Sequence, residues 1–81
     1  MGMQIDDVIF KLDQLGADDT IPRSVRKKLR DESNVLKEDG MELNVKVNRL
    51  LAVLDELSTN PSVSSDIRAQ IWYLVSILES M

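Results

Sequence analysis

The spacing of apolar residues constrains this chain most, because four separate segments show the period of an amphipathic α-helix. In the first segment, apolar residues begin at Ile5 and recur every three or four positions as far as Leu15. We expect no strand to compete with these helices. The pattern predicts an all-α chain, with helices over about residues 4–15, 22–39, 42–58 and 64–81.

Glycine and proline residues mark the predicted helix ends. Gly16 suits a left-handed cap after helix one, and Pro22 suits the first turn of helix two. Gly40 breaks the chain after helix two, and Pro61 ends helix three. Connections of about two to six residues make neighbouring helices antiparallel. At 81 residues the chain is one folding unit, so we expect a compact antiparallel four-helix bundle that forms a single domain, 1–81.

The second half of the sequence resembles the first after a shift of 42 residues. The shift places Leu12–Leu15 on Leu54–Leu57 and Arg26 on Arg68, and the register needs no gap. The predicted core positions of the first half fall on core positions of the second. The chain therefore divides into two similar helix hairpins. These units cover about residues 4–39 and 42–80.

The turn within each predicted hairpin leaves a second architecture open. The stretches Asp18–Arg26 and Asn60–Arg68 resemble the inter-helix turn of HEAT repeats, in which an Asp/Asn/Pro turn precedes an aliphatic residue and an arginine. A period of 42 residues also lies in the range of helix-pair solenoids. Two stacked HEAT-like repeats are therefore the alternative to a closed bundle.

Residues from about 4 to 80 are similar to a family of small archaeal proteins known as uncharacterised protein family 0147. The segment Leu54–Val63 carries the similarity most strongly, followed by Arg68, Ile71-Trp72 and Leu78-Glu79. The resemblance implies a compact four-helix bundle, a cytoplasmic archaeal setting and no established biochemical activity. It supplies no catalytic residues.

Composition limits the ways in which so small a chain can be stabilised. The chain has no cysteine and no histidine, which excludes disulfides and thiolate or imidazole metal sites. A core of this size contributes only about 3–5 kcal/mol, so close helix packing or self-association must supply the rest. We therefore expect a homodimer.

Charge and hydropathy indicate the class of partner and the compartment. A net charge of −4 disfavours nucleic-acid binding by the whole protein and favours a protein partner. The longest strongly apolar stretch, Ile71–Leu78, is far shorter than the roughly 20 residues that span a bilayer. No basic and apolar leader opens the sequence. We expect a soluble, cytoplasmic protein without a membrane partner.

Residues suited to catalysis or metal binding are scarce. Histidine and cysteine, the commonest bases and nucleophiles, are missing. Carboxylates occur as adjacent pairs, but neighbours in a helix point about 100° apart and do not converge on one site. Asp18-Asp19 lies in a turn but does not resemble a calcium loop, and the three glycines are scattered. The sequence predicts no enzyme, no catalytic residue, no cofactor and no metal.

One acid and one arginine occupy equivalent places in the two units. Asp13 and Arg26 lie beside the apolar stripes of helices one and two, and Asp55 and Arg68 lie beside those of helices three and four. In antiparallel hairpins each pair could meet. We therefore predict two structural ion pairs, Asp13 with Arg26 and Asp55 with Arg68, that fix the helix register.

Helix two carries the main basic face of the chain. Cations near a helix N-terminus oppose the helix dipole, so local helix stability does not explain them. One interpretation is a solvated face interleaved with Asp31, Glu32 and Glu38. The other is binding of nucleic acid or an acidic protein through Arg23, Lys27 and Arg30. The five cations of this face are Arg23, Arg26, Lys27, Arg30 and Lys37.

Helix four departs from its repeat partner by carrying Trp72–Val75 where helix two carries Arg30–Ser33. Its apolar arc is therefore much wider. Either helix four is central in the bundle, or it buries a second face that includes Trp72 against another chain. Phe10 points away from the apolar stripe of helix one and is the other candidate contact. The small residues that remain on helix four are Ser65, Ala69 and Ser76.

The residues therefore favour a small non-enzymatic protein-interaction module that associates with itself. The alternative is an accessory protein that associates with nucleic acid through the basic face of helix two. The two readings differ in their response to salt, because binding to phosphates weakens steeply as salt is added whereas burial of apolar surface does not.

Overall fold

The computed structural model describes residues 2–80, with side chains from Ile5 onward. Over this range the chain folds into four α-helices and no strand, which confirms the all-α prediction. The helix bounds differ from the predicted ones by one or two residues. The predicted end of helix four, Met81, lies outside the described residues. The helices are α1 (Gly2–Gly16), α2 (Arg23–Lys37), α3 (Leu43–Ser58) and α4 (Ser65–Glu79).

Local chemistry explains most of the helix ends. Pro22 has extended backbone angles, φ −52° and ψ 141°, and immediately precedes α2. Ser64 caps α4, because its hydroxyl oxygen accepts the backbone N–H of Ile67 at 3.3 Å. Gly40 lies in the loop between α2 and α3 with φ +95°, a conformation that L-residues with a Cβ rarely adopt. These residues divide the chain where the sequence predicted its breaks.

The predicted left-handed cap at Gly16 is wrong. Gly16 is the last residue of α1, and Gly40 is the only glycine with positive φ in the described chain. Gly16 is instead buried where α1 meets α2. A Cβ at this position would lie 2.5 Å from Cγ of Arg30 and 3.6 Å from the carbonyl oxygen of Arg26. The close approach of α2, and not backbone conformation, requires glycine here.

The helices pack in sequence order and close into a ring. The most extensive contacts join α1 to α2 and α3 to α4, and further contacts join α2 to α3 and α1 to α4. Stacked repeats would instead pack α1 on α3 and α2 on α4. In the described part of the chain, the backbones of α1 and α3 do not approach each other closely, and neither do those of α2 and α4. The protein is therefore a compact four-helix bundle, and not two stacked HEAT-like repeats.

Contacts between α2 and α3 show that these helices are antiparallel. Lys46, near the start of α3, donates a hydrogen bond to the carbonyl of Leu36, near the end of α2. Glu56, near the end of α3, pairs with Lys28, near the start of α2. The bundle measures 32 × 21 × 19 Å. Each helix has 15 or 16 residues, and none in residues 2–80 is long and apolar enough to cross a lipid bilayer.

The core draws on all four helices and on both hairpin turns. Ile21 and Val63, one in each turn, are almost completely buried. Full burial of a large aliphatic side chain stabilises a fold by about 1.5–3 kcal/mol, so these turns are part of the core and not mere connections. The buried apolar residues are Val8, Leu12, Leu15, Ile21, Val25, Leu29, Leu36, Leu50, Leu54, Leu57, Val63, Ile67, Ile71, Leu74 and Leu78.

The two hairpin turns carry the same hydrogen bonds at a separation of 42 residues. Oδ1 of Asp18 accepts the N–H and the hydroxyl of Thr20 at 2.9 and 2.6 Å, and these bonds lower the pKa of Asp18. Oδ1 of Asn60 accepts the N–H and the hydroxyl of Ser62 at 2.9 and 2.7 Å. In each turn the next residue, a buried aliphatic one, donates its N–H back to the carbonyl of that Asp or Asn at 3.1 Å. Both hairpins therefore close in the same way.

Candidate interaction surfaces

The outer side of α4 exposes two aromatic side chains. Trp72 is 49% exposed and Tyr73 is 60% exposed, although Ile71 and Leu74 beside them are fully buried. At 100° per residue, three small exposed residues lie between the two rings, and no charged residue falls within this arc. The structure thus places α4 in the ring of helices and not at its centre. We define the aromatic surface as Ser65, Ala69, Trp72, Tyr73 and Ser76.

Phe10 lies apart from the aromatic surface, on α1. It is 65% exposed, whereas Val8 and Leu12 on the same helix are fully buried. The structure therefore agrees with the sequence that Phe10 points away from the core. Single exposed apolar residues are common on soluble proteins, so exposure alone gives Phe10 no role.

A shallow apolar groove lies between α3 and α4, at the end of the bundle where α3 begins and α4 ends. Its volume is about 440 Å³. Leu43 follows the apolar period of α3 but is 51% exposed. Periodicity identifies the face of a helix correctly but does not show how far its neighbours extend along it. The lining residues are Leu43, Asn44, Val47, Asn48, Leu51, Leu78 and Glu79.

Three of the five cations on the basic face of α2 share one exposed surface. Arg23, Lys27 and Arg30 are exposed and line a recess of about 640 Å³ together with Ser24 and Asp31. Lys27 pairs with Asp31 at 3.0 Å, but both side chains are more than half exposed, and such pairs contribute little to stability. We call Arg23, Lys27 and Arg30 the basic surface.

The other two cations of the basic face bind acids of the first hairpin. Lys37 pairs with Asp13 at 3.1 Å, and Arg26 pairs with Asp19 at 3.4 Å. These side chains therefore do not contribute to the basic surface. The sequence grouped all five cations because it showed their common helical arc but not their partners.

The predicted ion pair between Asp13 and Arg26 is wrong. Asp13 accepts the hydroxyl of buried Ser33 at 2.6 Å and the ammonium of Lys37. The hydrogen bond from Ser33 is the largest cause, and Lys37 a further one, of the lowered pKa of Asp13. Gly16 packs against Arg26 and Arg30, so Asp13, almost one turn earlier in α1, lies nearer the C-terminal half of α2.

The predicted ion pair between Asp55 and Arg68 does not form either. Arg68 donates to the carbonyl of Ser58 at 2.9 Å and to that of Val63 at 3.1 Å, and makes no hydrogen bond to exposed Asp55. Carbonyls at a helix C-terminus lack helical donors and attract a guanidinium. The side chain therefore bonds the end of α3 and the following turn, and it still serves to hold the second hairpin together.

The first hairpin differs at the equivalent arginine. Nε of Arg26 is buried and has no hydrogen-bond partner among the described residues, whereas Nε of Arg68 donates to a backbone carbonyl. Arg26 reaches instead toward the exposed carboxylate of Asp19. The two arginines occupy equivalent sequence positions but make different contacts.

One interpretation of the basic face placed Glu32 in solvent, but the structure buries this residue. The side chain of Glu32 is 6% exposed between α2 and α3. Its carboxylate accepts three hydrogen bonds from Arg49, at 3.1, 3.2 and 3.4 Å. This pairing raises the pKa of Arg49. The shift of 42 residues contained the signal, because it aligns Glu32 and Ser33 with Leu74 and Val75, both on the apolar face of helix four.

Lys46 is a further buried polar residue that the sequence did not identify. It is 8% exposed and donates to the carbonyls of Leu36 and Glu38, at the end of α2. A cation at this position satisfies carbonyls that lack helical donors and interacts favourably with the helix dipole. The role of Lys46 is thus to join α3 to α2.

The described part of the chain contains no cluster of three or more acidic side chains that could hold a metal ion. The buried carboxylate of Glu32 is paired with Arg49. Beside the aromatic, basic and aliphatic surfaces, many exposed residues are acidic, among them Asp7, Asp39 and Asp55.

The sequence model of Uncharacterised protein family (UPF0147) matches residues 2–81. The chain belongs to this family. Membership confirms the resemblance found in the sequence. The family's function is uncharacterised, so membership assigns no activity.

Several related members of this family come from archaea. The UPF0147 protein of Thermoplasma volcanium is 32% identical over 75 residues, which cover 93% of this chain and 84% of the relative. That of Metallosphaera sedula is 32% identical over 78 residues, covering 96% and 88%. That of Methanocaldococcus jannaschii is 33% identical over 72 residues, covering 89% and 77%. No solved structure matches the chain.

Proposed function

We propose that this chain is a small, non-enzymatic, cytoplasmic protein-interaction module that associates with itself through the aromatic surface. The observation that carries the proposal is the joint exposure of Trp72 and Tyr73 on a strip without charge. The largest apolar patch on a monomeric protein is often a binding site, and tryptophan and tyrosine are among the residues that contribute most at protein interfaces.

We also propose that the two hairpins are diverged copies of one unit. The identical hydrogen bonds of their turns support this origin. On that basis the differences between the copies indicate where function resides. The segment Arg30–Ser33 contributes one exposed cation and the buried polar side chains of Glu32 and Ser33. The equivalent segment Trp72–Val75 contributes the exposed aromatic rings.

Sedimentation of a Trp72→Glu variant tests the proposal. The natural chain should sediment as a concentration-dependent dimer, and Trp72→Glu should be monomeric with unchanged helical circular dichroism. Because Trp72 is half exposed, the charge can be accommodated in the folded monomer. Phe10→Glu is the matched control, since it places the same charge on an exposed aromatic position of α1 and should leave the dimer intact. A natural chain that stays monomeric at millimolar concentration, or equal dimerisation of all three proteins, would refute the proposal.

The basic surface favours a second candidate function, binding of a nucleic-acid strand. Its three cations are exposed around one recess, and the stem of Arg30 packs closely against Gly16, which restrains it. Removing one phosphate contact should reduce the salt dependence of binding by about one unit of log–log slope. Titration of a labelled RNA with the natural chain and with Arg23→Gln and Arg30→Gln variants tests this. Lys11→Gln, on α1, is the control.

A further inference from the structure

Resting on the proposed self-association, we propose that two copies pair α4 against α4 in antiparallel orientation. The two-fold axis passes midway between Ala69 and Trp72. The partner is therefore a second copy of this chain, held by the aromatic surface of each. The spacing, size and flanking chemistry of residues on this surface carry the inference.

The spacing of the central residues is that of a helix-pairing seam. Ser65, Ala69, Trp72 and Ser76 follow one another at intervals of four, three and four residues, which is the spacing of a and d positions in a heptad. All four are exposed. The seam runs for about 16 Å along α4 at 1.5 Å per residue. The four seam positions themselves carry no charged side chain.

The sizes along this seam are self-complementary only when the second helix runs in the opposite direction. A two-fold axis at the stated position sets each Trp72 against Ala69 of the second copy, and each Ser65 against Ser76. Parallel pairing would set Trp72 against Trp72 and Ala69 against Ala69, a clash beside a void. Protein interfaces pack as densely as interiors, and both overpacking and voids are costly.

One flank of the seam adds polar complementarity. Asp66 and Tyr73 lie seven residues apart on the same side of α4, and both are exposed. The two-fold rotation places this side of one α4 beside the same side of the other. Measured along the helix axis, Tyr73 then lies within about 3 Å of Asp66 of the second copy. The phenol can then donate to the carboxylate, once in each direction. Such a bond to an ionised acceptor is stronger than a neutral one.

The area available predicts a weak dimer. Trp and Tyr side chains present about 150–250 Å² each, and about half of Trp72 and three-fifths of Tyr73 are exposed. With the small residues, each copy contributes about 350 Å², so the pair buries about 700 Å², less than the roughly 1,200 Å² of stable complexes. The like net charge of −4 on each copy opposes association. Added salt should therefore strengthen the dimer by screening.

Cysteine cross-linking tests the orientation, because the chain contains no cysteine. Under mild oxidation, a mixture of Ser65→Cys and Ser76→Cys variants should yield a disulfide-linked heterodimer, and each variant alone should yield little cross-link. Parallel pairing gives the opposite pattern, with each variant linking to itself. Asn34→Cys, exposed on α2, measures background cross-linking.

A size exchange tests the same packing without oxidation. Ala69→Trp should abolish dimerisation, because it sets two indoles against each other. The double variant Ala69→Trp/Trp72→Ala should restore it, because indole again faces a methyl group. The antiparallel pairing is overturned if the natural chain dimerises but the Ser65→Cys variant links to itself. It is also overturned if the double variant does not dimerise. Either result leaves self-association standing. A natural chain that never dimerises overturns both.

Discussion

Replacing Glu32 by leucine should leave the bundle at least as stable as the natural chain, whereas replacing it by alanine should destabilise it. The side chain of Glu32 is 6% exposed, and its repeat equivalent, Leu74, is fully buried. The carboxylate therefore occupies a core position, where it is held by the guanidinium of Arg49. The comparison asks whether packing or the ion pair contributes more to stability at this position.

The structure sets the expected magnitudes. Hydrogen bonds to charged groups contribute about 1.5–3 kcal/mol, but the half-exposed Arg49 can regain water after the loss of Glu32. Glu32→Ala should therefore lose about 1–2 kcal/mol, which for a domain of this size lowers Tm by about 4–16 °C. Glu32→Leu loses the same bonds but gains about 1.5–3 kcal/mol from burial of the side chain. Its net change should lie between zero and a small gain.

Thermal and urea unfolding, followed by far-ultraviolet circular dichroism, measure both variants. Glu56→Leu is the control. The side chain of Glu56, near the C-terminus of α3, is 65% exposed, and its replacement should change the free energy of unfolding by less than about 0.5 kcal/mol. If Glu32→Leu proves as destabilising as Glu32→Ala, the ion pair contributes more than packing. The proposed equivalence of this position with Leu74 would then fail.

Three further outcomes follow from local geometry. Gly16→Ala should lower stability by about 1–3 kcal/mol because its Cβ would overlap the stem of Arg30, and pairing it with Arg30→Ala should recover most of the loss; no effect of the single change on Tm would contradict this. Gly40→Ala should lower the free energy of unfolding by about 1–2 kcal/mol because of the positive φ alone. Gly40→Asn should lower it less in the same thermal unfolding experiments, so equal losses would count against the backbone explanation. The pKa of Asp13 is lowered in the folded state, so its contribution to stability is present above about pH 4 and disappears as the pH falls through the lowered value; Ser33→Ala should raise that pKa in an NMR titration, and an unchanged pKa would exclude Ser33 as the cause.

Much of the candidate surface could be predicted from the sequence. The exposed cations Arg23, Lys27 and Arg30 lie where the helical arc placed them, and Phe10 points outward as expected. Helical periodicity fixes directions around one helix, so it predicts which residues share a side. It gives no information about which side chain on another helix lies opposite, and for that reason both predicted ion pairs were wrong.

The sequence by itself determined the number of helices, their bounds to within one or two residues and the identity of most core positions. These properties depend on the chain's local preferences and on the 3.6-residue period of the helix, which neighbours in sequence establish. Only the tertiary structure decided that the helices close into a ring, that Glu32 is buried beside Arg49, and that Trp72 and Tyr73 remain exposed. Those outcomes depend on how far one helix extends along another and on which faces meet, and no single helix encodes either.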